Sequence, residues 1–161
     1  MTPPSEINEL LEEAKSELKR ADHLVFVSLK YTRTVDVIRS VIERLINAHD
    51  FGCHAILEDA KRKGLINSYP LSTGVRIELL MNFLSYEQEI ISHLNLFILL
   101  RKFIKADFSK AEEYRRHVRM ITTIDTGETF EVDIDHIKEY FERTTNFLEI
   151  VKSRVKGREN D

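Results

Sequence analysis

No proline or glycine stands between Pro4 and Gly52, so nothing in that span forces the backbone to turn. Its apolar residues recur at helical intervals, with Ile7, Leu11, Ala14, Leu18, Ala21, Val25 and Ser28 on one stripe. The run LVFV (24–27) keeps that phase, and an unbroken period outweighs the β-propensity of four residues, so the segment is predicted to stay helical. YTRT then offers two threonines to cap a new helix, and a second stripe follows: Val35, Ile38, Ile42, Leu45, His49, Gly52 and Ile56. Lys61, Arg62 and Lys63 before Gly64 are a cationic last turn followed by a residue suited to the left-handed stop. Two long helices with so short a joint must lie antiparallel, as a helical hairpin over 5–63.

The rest of the chain has shorter elements. Ser5 is the expected cap of the first helix, which runs to about Tyr31; the second spans about 34–63. LINSYPLSTG is a loop, VRIELLMNFL a short buried helix (75–84), and Ser85 with Gln88 a capping box opening a fourth helix at 86–105. Between Ile90 and Leu100 that fourth helix is apolar nearly all round, which predicts a central position or burial at a dimer interface. Ser109 with Glu112 reads as the cap of at most two helical turns reaching His117. From 118 to 134 the period becomes strand-like around Asp125, Thr126 and Gly127, a β-hairpin that must pack on helices or on a partner chain. Asp135 is the expected cap of a last helix over 136–155, ended by Lys156 and Gly157. The expected fold is mainly α, an up-down helical bundle with a long N-terminal hairpin and a small β-hairpin before the C-terminal helix.

At 161 residues the chain is expected to be one domain with a sizeable core. Its net charge of −3 excludes a global field for nucleic acid, so any such surface must be local. A lone Cys53 excludes an internal disulfide and suits a reducing compartment. No run approaches the about 20 apolar residues of a membrane span, and the acidic opening MTPPSEINELLEEAK lacks the apolar core of a secretory signal. The expected location is cytoplasmic.

Few motifs carry chemistry. His49 with Cys53, and His54 with Asp50 or Glu58, share helix faces at metal-ligand spacing, and these would be the metal candidates. Glu-x-x-His, His-Glu-x-x-His and Cys-x-x-Cys are all missing, so no metal or other cofactor is expected. The five glycines are too dispersed for a phosphate-cradling loop. Charge is more informative. Arg101, Lys102, Lys105, Lys110, Arg115, Arg116 and Arg119 face three acids in the same stretch, a local balance of +4, whereas 128–142 has six acids and one lysine. The two stretches can be solvated faces or two halves of a contact between copies. Alternatively the basic stretch holds phosphates, with Phe103, Phe108 and Tyr114 stacking on bases.

The layout of LKRADHLVFVSLKYTRTVDVIRSVIERLI, then a helix ending LLRKFIKADF, then EYRRHV, resembles the HEPN superfamily of small helical domains. The resemblance covers the chain to about Val118. It implies a dimeric bundle found beside nucleotidyltransferase-like antitoxins or in defence systems, and in active members a metal-independent RNase with an Arg, four to six residues, then His. The one match to that spacing is Arg44 to His49, on the second helix. On the later helix, where the pattern belongs, Arg101 is followed six residues on by Asp107 instead of His. The expected function is therefore a non-catalytic HEPN-like module that dimerises and binds a protein or nucleic-acid partner, with Arg101, Lys102, Lys105, Arg115, Arg116 and Arg119 as the nucleic-acid-binding set. The alternative is a metal-independent RNase using the basic region from Arg101 to His117, with Arg101, Arg115, Arg116 and His117 as phosphate binders and general acid/base.

Overall fold

Helix α1 starts at Pro3, two residues before the expected Ser5 cap; a proline is favoured at a first helical position because its φ is preset and its missing N–H is not needed there. The computed structural model describes residues 3–159. From Pro3–His23, α1 continues through a π-helical turn, Leu24–Ser28, into a last turn, Leu29–Tyr31, so LVFV is helical as expected. The π turn, closed by Leu29 N–H donating to the Leu24 carbonyl, inserts one residue into the period. The stripe therefore ends on buried Leu29, and Ser28 moves to a half-buried position.

Helix α2 (Val35–Arg62) is capped by Thr34, whose hydroxyl accepts from Val37 N–H at 3.3 Å. Thr34→Ala is expected to lower stability by about 1 kcal/mol, read from the denaturant midpoint; a change under about 0.3 kcal/mol would mean that the cap contributes nothing. At the other end Leu65 N–H reaches the Ala60 carbonyl and Gly64 N–H that of Lys61, with Gly64 at φ +75°, a Schellman stop. All seven stripe residues of α2 are buried, and so are Val41, Ala48, Cys53, Ala55 and Leu57 on its other faces. The central helix is α2, because α1, α3 (Thr73–Phe83), α4 (Gln88–Lys105) and α5 (Ile134–Glu159) all touch it.

Of the two positions expected for α4, the central one is thus taken by α2. The α4 residues Ile90, Leu94, Leu96, Phe97, Leu100 and Phe103 are buried within one copy, while Ile91, Ile98, Leu99 and Ile104 are half-buried and Ser92 and Asn95 exposed. The Ser85 capping box does not form: Glu87 is the N-cap residue and makes no side-chain cap bond, its carboxylate being held instead by Arg154 at 2.6 and 2.8 Å. Helix α5 begins two residues early, on Asp133, whose Oδ1 accepts from His136 N–H at 2.9 Å, and runs past Gly157.

The residues pack as two apolar clusters stacked along α2. Ile7 and Ala14 of α1, Ile56 of α2, Ile90 of α4 and Val151 of α5 share the first; Leu29, Ile38, Phe103 and Ile137 share the second. Hence α1 and α4 run one way and α2 and α5 the other, the expected up-down bundle.

A small antiparallel sheet closes the second cluster. It has three strands in the order β1 (Phe108–Ala111), β2 (Arg119–Thr123) and β3 (Thr129–Asp133), one more than expected. No helical turn forms between Ser109 and His117: the segment opens as β1, paired Phe108↔Thr122 through Ala111↔Arg119, and continues as a loop over 112–117. β1 is exposed along most of its length and has little apolar signal of its own; it exists because β2 offers it a hydrogen-bonding edge. The β2–β3 turn is as expected, Gly127 taking φ +91° with its N–H on the Ile124 carbonyl. Met120, Thr122 and Val132 point inward onto the helices, so the sheet needs no partner chain to cover that face. No helix among the described residues is long and apolar enough to cross a membrane.

Candidate nucleic-acid interface

Folding divides the seven cations of 101–119. Arg119 is held by Glu131 at 2.6 Å and Glu112 at 3.1 Å, and those hydrogen bonds raise its already high pKa. Lys110 lies 3.3 Å from Asp36 and 3.7 Å from Glu113, and Lys102 3.2 Å from Asp125. Arg101 is half-buried against the start of α3, where a Cβ placed on Gly74 would meet its Nη1 at 3.7 Å. Lys105 is exposed on the last turn of α4. Arg115 and Arg116 are exposed and in no ion pair among the described residues.

Two positive-φ residues without the freedom of glycine, Glu112 (φ 53°) and Tyr114 (φ 66°), shape the loop that presents Arg115 and Arg116. Such backbone costs on the order of 1 kcal/mol or more per residue and persists only where its surroundings hold it. Here the Glu113 carboxylate accepts from Val35 N–H at 2.8 Å, on the first turn of α2, and Tyr114 N–H donates to the Arg33 carbonyl at 2.6 Å. The loop is thereby clamped onto the α1–α2 joint. Arg116 and His117 of the loop, Arg33 of the joint and Lys138 of α5 line one cleft of about 240 Å³, together with Asp133 and Asp135. Arg101 does not line it. A second cleft of about 200 Å³ has Val25, Phe26 and Leu29 in its wall with Lys30 at its edge, and it shares Arg33, Ile134 and Lys138 with the first.

Aromatic side chains flank this end of the molecule. Tyr31 and Tyr114 are 77% and 75% exposed, and Phe26, packed edge-on against Phe141, keeps half its surface free. Two of the three aromatics expected to stack on bases are engaged elsewhere. Phe103 is core, and Phe108 has the Arg39 guanidinium 4.0 Å over its ring. Lys30, Arg33 and Lys138 were not legible as site residues. KYTR reads as a capping segment, and Lys138 is the single cation of an acidic stretch; the adjacency of cation and aromatic in KYTR was the one available signal.

The other candidates are not gathered into a site. His49 is wholly buried, its ring stacked between Phe97 (5.2 Å) and Phe147 (5.1 Å), its Nδ1–H donating to the Leu45 carbonyl at 2.9 Å. Arg44 points elsewhere, to buried Glu17 at 3.1 Å, so the Arg44–His49 pair presents no joint surface to a substrate. Burial pushes the Cys53 thiol far up, away from the thiolate that a metal would need. His54 donates from Nε2 to Tyr69 at 2.8 Å, and Tyr69 in turn to Glu58 at 2.7 Å, which ties the 63–72 loop to α2. Among the described residues no three His, Cys, Asp or Glu side chains are grouped to hold a metal ion. Comparison of the chain with family models, curated proteins and solved structures finds no match to any of them.

Proposed function

We propose that the chain is a non-catalytic, HEPN-like helical module that binds single-stranded nucleic acid across the α1–α2 joint and the β1–β2 loop. One observation carries the reading: Lys30, Arg33, Arg116 and Lys138, drawn from three separate stretches, line adjoining clefts and make no ion pair among the described residues; Tyr31, with the Lys30 ammonium 5.9 Å over its ring, and Tyr114, next in sequence to Arg115, are largely exposed. Free cations track a phosphate backbone, and exposed rings offer faces for unpaired bases. Of the six other cations of the basic stretch, Lys102, Lys110 and Arg119 are already paired with acids of the same chain. Of the four residues of the alternative RNase reading, Arg116 and His117 line the cleft and Arg101 and Arg115 do not, so that reading keeps only half of its set.

Fluorescence anisotropy with a labelled RNA oligomer in EDTA tests this. Lys30→Glu/Arg116→Glu is expected to weaken binding by about tenfold or more and to reduce the log–log salt slope by about 0.7 per removed phosphate contact. Lys102→Glu, outside the clefts, is the control. Equal affinity of the double variant and the unaltered protein would remove the interface. EDTA-resistant cleavage lost in His117→Ala would replace the binding module by the RNase. Within the same proposal the module pairs with a second copy through the open side of α4, where Ile91 and Leu99 flank a shallow groove. Sedimentation equilibrium at tens of micromolar should then give twice the 18.9 kDa chain mass, and the chain mass alone would exclude pairing.

A further inference from the structure

The two clefts differ in chemistry while sharing a wall, and one of them contains a charge that phosphate alone does not explain. The smaller is apolar inside: Val25 and Leu29 are buried at 3% and 1% exposure, and Phe26 is half exposed above them. The larger is polar, with Arg33, Arg116 and Lys138 facing Asp133 and Asp135. Each is below the about 300 Å³ at which small-molecule sites begin, and the two together exceed it.

Asp133 is already used, its Oδ1 accepting from both the backbone N–H and Nδ1 of His136, at 2.9 and 2.7 Å. Asp135 is exposed and accepts no hydrogen bond from the described residues. A carboxylate so placed repels a phosphodiester, which has no donor to offer it. It accepts readily from hydroxyl groups, and only one part of a nucleic-acid strand carries a hydroxyl beside each phosphate, the ribose of RNA.

We infer that the joined clefts hold one ribonucleotide of a bound single strand, with the base in the apolar cleft against Phe26, the phosphate between Arg33 and Arg116, and the ribose 2′-hydroxyl on Asp135. The inference rests on the nucleic-acid reading above and narrows it to RNA. Base stacking explains the half-exposed ring, and Lys138, common to both clefts, stands where base and phosphate halves meet.

The test is competition of a labelled RNA oligomer by unlabelled RNA and by DNA of the same sequence, against the full chain and two variants. The unaltered protein is expected to prefer RNA by about tenfold, the worth of one hydrogen bond to a charged group. Asp135→Ala should bring that ratio close to one, and its DNA affinity should hold or rise because a repulsive charge is gone. Phe26→Ala should weaken RNA and DNA alike, by about tenfold, for the loss of one stacked base. A circular-dichroism melt matching the unaltered protein shows that each variant is folded. Equal affinity of the unaltered protein for RNA and DNA, or a preference that survives in Asp135→Ala, would overturn the inference and leave the interface standing. Failure of both strands to bind would overturn the interface as well.

Discussion

Acidification from pH 7 to pH 4 should remove about 3 kcal/mol of folding stability through His49 alone. Complete burial disfavours the imidazolium and pushes the His49 pKa from the ordinary 6.5 to about 4; the Leu45 carbonyl pulls the other way, and the charges of His93 and Arg143 add to the depression. In the unfolded chain the ring takes up its proton as pH falls through about 6.5, whereas the folded protein resists until about 4. The unfolded state therefore binds more protons across that window. Stability is complete above it and declines as pH falls, by up to about 1.4 kcal/mol per pH unit. Burial depresses His93 and His54 as well, so their contributions share the sign. Denaturant titrations of the unaltered protein and His49→Leu at several pH values isolate the contribution of His49. The variant should have a distinctly shallower slope between pH 6.5 and 4, and parallel slopes would show that His49 is not the group responsible.

The second large effect is expected at Phe147, the ring around which the helices converge. It is fully buried, stacks on His49, lies 5.5 Å from His93 and fills the space beside Gly52. Phe147→Ala should cost about 3 to 5 kcal/mol, the usual range for a phenylalanine removed from a core. Gly52 sharpens the test. A Cβ there would sit 2.9 Å from Phe147 Cε2 and 3.0 Å from Leu148 Cδ2, so Gly52→Ala overpacks the α2–α5 contact and should cost about 1 to 3 kcal/mol in spite of the better helix propensity of alanine. With Phe147→Ala already present the closer contact is gone and Leu148 Cδ2, the end of a flexible side chain, can move into the vacated space, so the same substitution should become neutral or stabilising by up to about 1 kcal/mol. Additive losses in the double-mutant cycle would mean that the two residues do not meet.

Much of this architecture is written in local signals. The seven-residue stripe of α2, the Lys61–Gly64 stop, the Thr34 cap and the Asp125–Thr126–Gly127 turn are each decided by residues a few positions apart, and all take the expected form. Chain-local rules err where the deciding partner is distant. The residues after Ser109 were expected to turn helically because Ser109 and Glu112 suit a cap; the segment opens as a strand because β2, from Arg119, supplies the edge. The apolar girth of α4 suggested the centre of the bundle or a dimer interface; the centre belongs to α2 because four other helices pack on it.

By itself, then, the sequence determined where helices run, where two of them stop, and that a basic stretch exists, because periodicity, caps and glycine act over single turns. The tertiary structure alone decided which of those charges are free. Whether an arginine is available depends on acids elsewhere: Glu131 and Glu112 neutralise Arg119, Asp36 engages Lys110, and nothing among the described residues pairs with Arg116. The candidate interface could arise only when Lys30 and Arg33 at one joint, Arg116 on a strained loop and Lys138 on the last helix were brought side by side, a convergence set by packing.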